Sequence, residues 1–318
     1  MVGSVNVDLV VEVARLPLAG ETVLGGAFRT AAGGKGANQA VAAARLGARV
    51  DLVACIGQDV NGRTMRAALR AERVGLRDVR RVADATGVAA ILVDRGGQNM
   101  IAVVSGANAS LTPPDVQNAE RRLARADTVV AQLEVSLEAV AAAASLARRS
   151  GALFILNAAP ARTDLQDVLR LVDVLVVNQS ELAILSGSHA GPADESTAGR
   201  ERLARGGEAA AAQELLARGP RAVVVTLGAR GAVLLGPSGT TSVAPFAVEA
   251  VDTTAAGDAF VGALAARLHG LEALGEAARY ASAAAALACT RPGAQPSLPT
   301  AGEVQRLLGA RGSADGPP

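Results

Sequence analysis

Asp258 follows a run of small residues in VDTTAAGDAFVGA, Val251–Ala263. Thr253 to Gly257 can turn tightly. Ala259, Phe260, Ala263 and Leu264 then recur at helical spacing, which predicts a helix from about Ala256 to Leu268. The first turn of a helix has free N–H groups and a partial positive charge, which together bind anions. A carboxylate in that turn can act as a base beside a phosphate. The same pattern also describes an ordinary helix start with an acidic first-turn residue. These residues alone leave both readings open.

A second stretch, AAGGKGANQAVAAARLG at 31–47, carries the other unusual chemistry. Lys35 is the only lysine in a chain that otherwise uses arginine. Either an ammonium is needed inside Gly33–Gly36, or one lysine simply fell there. The glycines allow close backbone approach, and a helix is predicted from about Ala37 to Leu46, with Asn38 and Gln39 in its first turn and Gly47 at its end. No Ser or Thr follows the lysine, so this is not a Walker A loop, and no GxGxxG follows a strand here.

Strands and helices must bring these stretches together. Gly3–Leu9 reads as a strand end running into a loop, and Glu21–Thr30 as a hairpin or small sheet. Strand Arg49–Ile56 precedes a helix at about Gly62–Glu72. Gly87–Asp94 and Asn99–Val104 read as two strands about a Gly96-Gly97 turn. From Thr128 onward strands and helices alternate. Strands are predicted at Thr128–Leu133, Leu153–Leu156, Val174–Val177 and Ala222–Leu227, with helices at Leu137–Arg149, Gln179–Leu185 and Glu208–Arg218. Strands Ala232–Leu235 and Thr240–Ala244, helix Leu274–Ala288 and a short last helix complete the pattern. Such alternation argues for a mostly parallel sheet covered on both faces. Polar residues then fall at strand ends: Asn6 and Asp8, Glu134, Asn157, Asn178, Thr226, and Asp252 with Asp258. Open α/β sheets place small ligands at that edge, although caps and turns use the same residue types. Gly187–Gly207 reads as a polar surface loop and Gly312–Pro318 as a frayed tail.

Composition removes several classes. Net charge is +1 and aromatics are 2%, so neither a basic patch nor a stacking platform for nucleic acid is expected. Cys55 and Cys289 form no CxxC pair and suggest a reducing compartment. The amino-terminal residues have no signal-peptide pattern, no apolar run of about 20 residues spans a membrane, and a cytoplasmic location is expected. The Ala-rich runs near Ala139–Ala147 and Ala281–Ala288 read as buried helices.

GGKGANQAV at 33–41 and DTTAAGD at 252–258 resemble the two signature regions of the ribokinase-like carbohydrate kinase family. AQLE at 131–134, NAAPA at 157–161, NQSE at 178–181, TLGARG at 226–231 and TRPGAQPS at 290–297 follow in that family's order, so the resemblance covers nearly the whole chain. It implies one α/β domain over 1–318, a three-layer, mostly parallel sheet flanked by helices, with a small β-sheet lid from about 10–30 and 87–104. It also implies ATP-dependent phosphorylation of D-ribose at its primary hydroxyl. Asp258 would be the general base, with Ala255, Ala256 and Gly257 as the anion hole. Asn6, Asp8, Gly34, Lys35, Gly36, Ala37, Asn38 and Glu134 would hold the sugar, beside Asp258. The nucleotide would lie on Asn178, Thr226, Leu227, Gly228, Ala229, Arg230, Gly231 and Ser282, reaching Gly257 and Asp258. Asn178 and Glu181 would serve the Mg2+ and phosphate region. A K+ site would draw on the Asp252 and Ser297 side chains and the carbonyls of Thr254, Ala288, Arg291 and Gly293. A homodimer through the lid is implied, because such sheets leave an apolar face exposed.

Three features depart from the family. The first strand is several residues shorter, the 187–207 loop is longer, and Pro292 removes an N–H from the proposed cation loop. His189 and His269 match no catalytic element. A kinase for deoxyribose, another pentose or a nucleoside is the alternative, with a non-catalytic sugar- or nucleotide-binding protein behind it.

Overall fold

Every residue of Ala222–Thr226 except the last is buried, and its alternate side chains enter two different cores. Val223 and Val225 pack on one face of the sheet with Val140, Ala143, Leu182 and Leu215; Ala222 and Val224 pack on the other with Phe260, Val261 and Leu264. Strands apolar on both faces belong in the middle of a sheet with helices above and below. In the computed structural model, which describes residues 1–187 and 207–312, that is the arrangement.

The chain begins with a lone bridge at Val2, followed by β1 (Asn6–Val13) and β2 (Gly25–Gly33). Then come α1 (Lys35–Arg45), β3 (Asp51–Gly57), α2 (Val60–Ala71), β4 (Gly75–Val82), β5 (Gly87–Val93) and β6 (Asn99–Val104). Two short helices, α3 (Pro113–Asn118) and α4 (Glu120–Leu123), lead to β7 (Thr128–Gln132). The series continues with α5 (Leu137–Ser150), β8 (Leu153–Asn157), α6 (Gln166–Leu169), β9 (Val174–Asn178), α7 (Gln179–Leu185), α8 (Glu208–Leu216) and β10 (Ala222–Thr226). It closes with β11 (Ala232–Gly236), β12 (Gly239–Val243), α9 (Ala256–Arg267), α10 (Leu274–Ala288) and α11 (Ala301–Gly312).

The main sheet runs β12-β11-β10-β9-β8-β7, and Val2 joins it to β3-β4 through parallel bridges to Ala131 and Val53. Pairings from β10 to β7 are parallel, while β11 pairs antiparallel with both neighbours. A separate four-stranded sheet has the order β2-β1-β5-β6.

Several expectations change here. Asn6 and Asp8 do not end a strand of the main sheet. The chain leaves that sheet after Val2, and Asn6–Val13 is a strand of the small sheet, paired with β2 and β5. The small sheet therefore starts at Asn6 rather than near 10 and extends to Gly33, with residues 14–24 outside it. Asp252 and Asp258 follow no strand: residues 244–250 carry no regular structure. β4 went unpredicted. Most of the expected 187–207 loop, including His189, lies outside the described residues, as does the tail beyond Gly312. Among the described residues no helix is long and apolar enough to cross a membrane.

Helices α1 and α9 cross in direct contact on the sheet. A Cβ on Gly262 would sit 2.5 Å from the Ala42 Cβ and 2.7 Å from the Gln39 carbonyl oxygen. A bare Cα is therefore what lets α9 approach α1. Gly262→Ala is expected to cost ~1–3 kcal/mol through overpacking and to lower the melting temperature in calorimetry. An unchanged melting temperature would contradict this packing.

Candidate active site

The close approach of α1 and α9 brings two amides onto one carboxylate. Asn38 Nδ2 donates to Asp258 Oδ2 and Gln39 Nε2 to Asp258 Oδ1, each at 2.9 Å. Gln39 Nε2 also reaches Asn157 Oδ1 at 3.0 Å, and Gln132 Nε2 donates to Gln39 Oε1 at 2.6 Å. The ends of β7 and β8 thus fix Gln39, and Gln39 fixes Asp258. Asp258 is buried in the first turn of α9, a helix with no side-chain cap, and Gly257 beside it faces open space. Ala256 N–H donates to Thr253 O at 3.2 Å, which closes the turn into the helix and takes that N–H out of the expected anion hole.

On one side of Asp258 lies a cavity of about 680 Å³. Asn6, Asp8, Gly34, Lys35, Asn38, Glu134, Thr254 and Asp258 line it, with Ala89, Ile91, Ile101 and Val103 of the small sheet opposite. Gly34 has φ 88°, and a Cβ there would meet Asn6 N at 2.7 Å, so the loop passes against β1 as only glycine can. Gly36 and Ala37 line no part of the cavity. They pack behind it, with Gly36 N–H on Ser4 Oγ at 3.2 Å and Ala37 N–H on Ser4 O at 2.8 Å. Ser4 Oγ in turn donates to Glu134 Oε2 at 2.5 Å, and Lys35 N–H donates to the same oxygen at 3.0 Å. One oxygen of Glu134 therefore caps α1. Asn6 Oδ1 accepts from Asn108 Nδ2 at 2.7 Å. Asn38 Oδ1 is buried and has no hydrogen-bond partner among the described residues.

The charges interact strongly. Burial, with Glu134 and Asp258 nearby and Lys35 opposing, pushes the Asp8 carboxyl up to about 7. Burial also raises Asp258, against the pull of Lys35, Asn38 and Gln39. Burial opposes the charge on Lys35, but Asp258, Glu134, Glu181 and Asp8 outweigh it and hold the ammonium above its usual range.

Outside the cavity lining, the ends of β9 and β10 form a partly exposed ledge, and Glu181 beside it feels the charges of Lys35 and Asp258. Asn178 and Thr226 are register partners on β9 and β10, and Leu227 leads into a turn of Gly228, Ala229 and Arg230, closed by Gly231 at φ 87°. Asn178 and Glu181 form a reciprocal capping box, with Glu181 N–H on Asn178 Oδ1 and Asn178 N–H on Glu181 Oε2, each 2.8 Å. The helix-start reading is thus present in full, and Glu181 Oε1 is left over. Arg230 pairs with the buried Glu208 at 2.5 Å. Ser282 is buried in α10.

Asp252 joins two loops: Oδ1 accepts from the Thr254 N–H and hydroxyl, and Oδ2 from Gly293 N–H at 2.8 Å. Burial alone would raise this carboxyl, but those donors outweigh it and hold it low. Ser297 Oγ donates to Ala294 O at 2.8 Å, and Arg291 is ion-paired with Glu303. The loops carrying the proposed cation ligands are therefore tied together through Asp252, and the donor set is all oxygen.

The sequence reading missed Gln39, Gln132, Ser4 and Asn108 as supports, and Arg162 and the apolar lid residues as cavity wall. Gln39 was visible beside Asn38, and Asn157 at a strand end; their convergence was not.

A sheet of this topology, a carboxylate at an uncapped helix start, a polar cavity and a strand-end ledge define a phosphotransferase-like site. The model of the pfkB family carbohydrate kinases matches residues 1–301, and the chain belongs to that family. Ribokinase of Haemophilus influenzae is 38% identical over 309 residues, 97% of each chain. A deoxyribokinase of Salmonella typhi is 34% identical over 310 residues, again 97% of each. The solved structure of Arabidopsis thaliana ribokinase complexed with ribose and ATP superposes with a TM-score of 0.82 at 32% identity, covering 96% of this chain and 97% of that one.

Raising the Asp8 carboxyl from 3.8 toward about 7 means that the folded state holds its proton more tightly than the unfolded chain. This contribution is complete below the unfolded value and is lost as pH rises through about 7. Asp8→Asn should therefore gain stability relative to the parent between pH 4 and 7, by up to ~1.4 kcal/mol per pH unit. Paired denaturant titrations at each pH measure this, and a constant difference would refute it.

Proposed function

We propose that this chain is an ATP-dependent kinase that phosphorylates D-ribose at O5, giving D-ribose 5-phosphate. One observation carries the reading. Asp258 is a buried carboxylate at the uncapped start of α9 that lines a polar cavity and feels the charge of Glu181 beside the strand ends. The sugar occupies the cavity. Asn6, Asp8, Lys35, Asn38 and Glu134 meet its hydroxyls. Amides and carboxylates bind vicinal diols well, and leaving one unmatched costs ~1–3 kcal/mol, which selects among sugars.

The primary hydroxyl points at Asp258. Its oxygen attacks the γ-phosphorus of ATP, its proton passes to Asp258, the bond to the β-bridging oxygen breaks, and ADP leaves. The N–H groups of Ala255 and Gly257 face the charge on the transferring group, while that of Ala256 stays on Thr253 O. The raised Asp258 carboxyl suits a base that must hold a proton briefly. ATP lies along Asn178 and Thr226–Gly231. Mg2+, when bound, neutralises phosphate charge, and the free oxygen of Glu181 suits its hydrated shell. K+ fits the all-oxygen set of Asp252, Ser297 and the carbonyls of Thr254, Ala288, Arg291 and Gly293; holding those loops, it would order the turn before α9.

The small sheet serves as a lid. Its outer residues Phe28, Met100 and Val104 are exposed, and a second copy covering them gives a homodimer. The protein acts in the cytoplasm. Deoxyribose is the second reading, favoured by the Salmonella typhi relative.

A sugar survey with ATP should give the highest kcat/KM for ribose; a higher value for deoxyribose or a nucleoside would replace the substrate assigned here. Replacing Na+ by K+ should raise kcat/KM, and equal rates in both would remove the Asp252–Ser297 cation site.

A further inference from the structure

Two cationic side chains line the cavity, Lys35 and Arg162. Their situations differ. Lys35 is half-buried and interacts with Asp258, Glu134, Glu181 and Asp8, so its charge is already matched. Arg162 follows β8 in the loop beyond Pro160. It is paired outside the cavity wall with Asp164, through Nε–Oδ1 and Nη2–Oδ2, both at 2.6 Å. The Arg162 side chain is 39% exposed and that of Asp164 59%. Exposed pairs of this kind contribute only ~0–1 kcal/mol. The guanidinium can therefore exchange Asp164 for a stronger anion at little cost. Its planar fork matches two oxygens of a phosphate.

The reaction proposed above places such an anion in this cavity. A neutral sugar enters, and a phosphate monoester with about two negative charges is formed beside Asp258. Asp8, Glu134 and Asp258 line the same space and repel it. Ala159 O accepts Leu133 N–H at 3.0 Å, which fixes the Arg162 loop against the segment carrying Glu134. Resting on the kinase reading, we infer that Arg162 is a product-binding residue: it leaves Asp164 and takes the phosphate of the sugar phosphate. Asp164 is its resting partner and competes with the phosphate.

The test is calorimetric titration of nucleotide-free protein with ribose and with ribose 5-phosphate, using the parent, Arg162→Gln and Asp164→Asn. Arg162→Gln should weaken ribose 5-phosphate about tenfold or more while leaving ribose within about twofold. Asp164→Asn should tighten ribose 5-phosphate and leave ribose alone. Unchanged affinity for ribose 5-phosphate in Arg162→Gln overturns the assignment. So does an equal loss of both ligands, which would make Arg162 a wall of the cavity only. A parent protein that turns over no ribose would instead overturn the substrate reading. The same titration then uses the sugar that the survey selects, with its own phosphate ester, and the same outcomes decide.

Discussion

Asp258 is a buried carboxylate, and a buried carboxylate must be given hydrogen-bond donors or lose its charge. Here both oxygens are satisfied by amides from one helical turn, Asn38 and Gln39. That demand sets much of the architecture. α1 must lie against α9, which Gly262 allows by presenting no side chain to Ala42. Gln39 must be held in turn, and Gln132 and Asn157 hold it from the ends of β7 and β8. The two motif regions, some 220 residues apart in the chain, are thus joined by hydrogen bonds to the sheet.

Charge divides the site into two halves. The cavity side concentrates Asp8, Glu134 and Asp258 around one ammonium, and the excess of negative charge shows in the raised Asp8 carboxyl. Such a surface favours a neutral, hydroxyl-rich ligand over an anion. The ledge side offers an uncapped helix start and glycine-bearing turns, which favour an anion. Asp258 lines the cavity from the start of α9, within reach of the charge on Glu181.

Much of this was legible in the sequence. Alternating βα units from Thr128 onward and the spacing around Asp258 and Lys35 depend on local periodicity and turn chemistry, and both lie on the surface of the text. What was not legible depends on distance. β4, GLRDVRRV, is an edge strand whose buried Leu76, Val79 and Val82 are separated by arginines, so no apolar run marks it. Asn6 and Asp8 read as a strand end because the main-sheet pairing near them is confined to Val2, and only the partners of β1 place that strand in the small sheet. Gln132 hid inside an apolar strand, Ser4 in a loop and Asn108 in the short 3-10 helix Gly106–Ser110. Their roles arise from contacts across about 100 residues. Arg162 adjoined a recognised motif yet carried no pattern of its own.

The central claim is that Asp258 accepts the proton of the attacking hydroxyl. Asp258→Asn keeps the shape of the side chain and removes the base. Ribose binding by the variant, measured by calorimetry, is expected to stay within a few-fold, while kcat falls by at least about 10²-fold. Turnover close to that of the parent enzyme, with ribose bound normally, would contradict it.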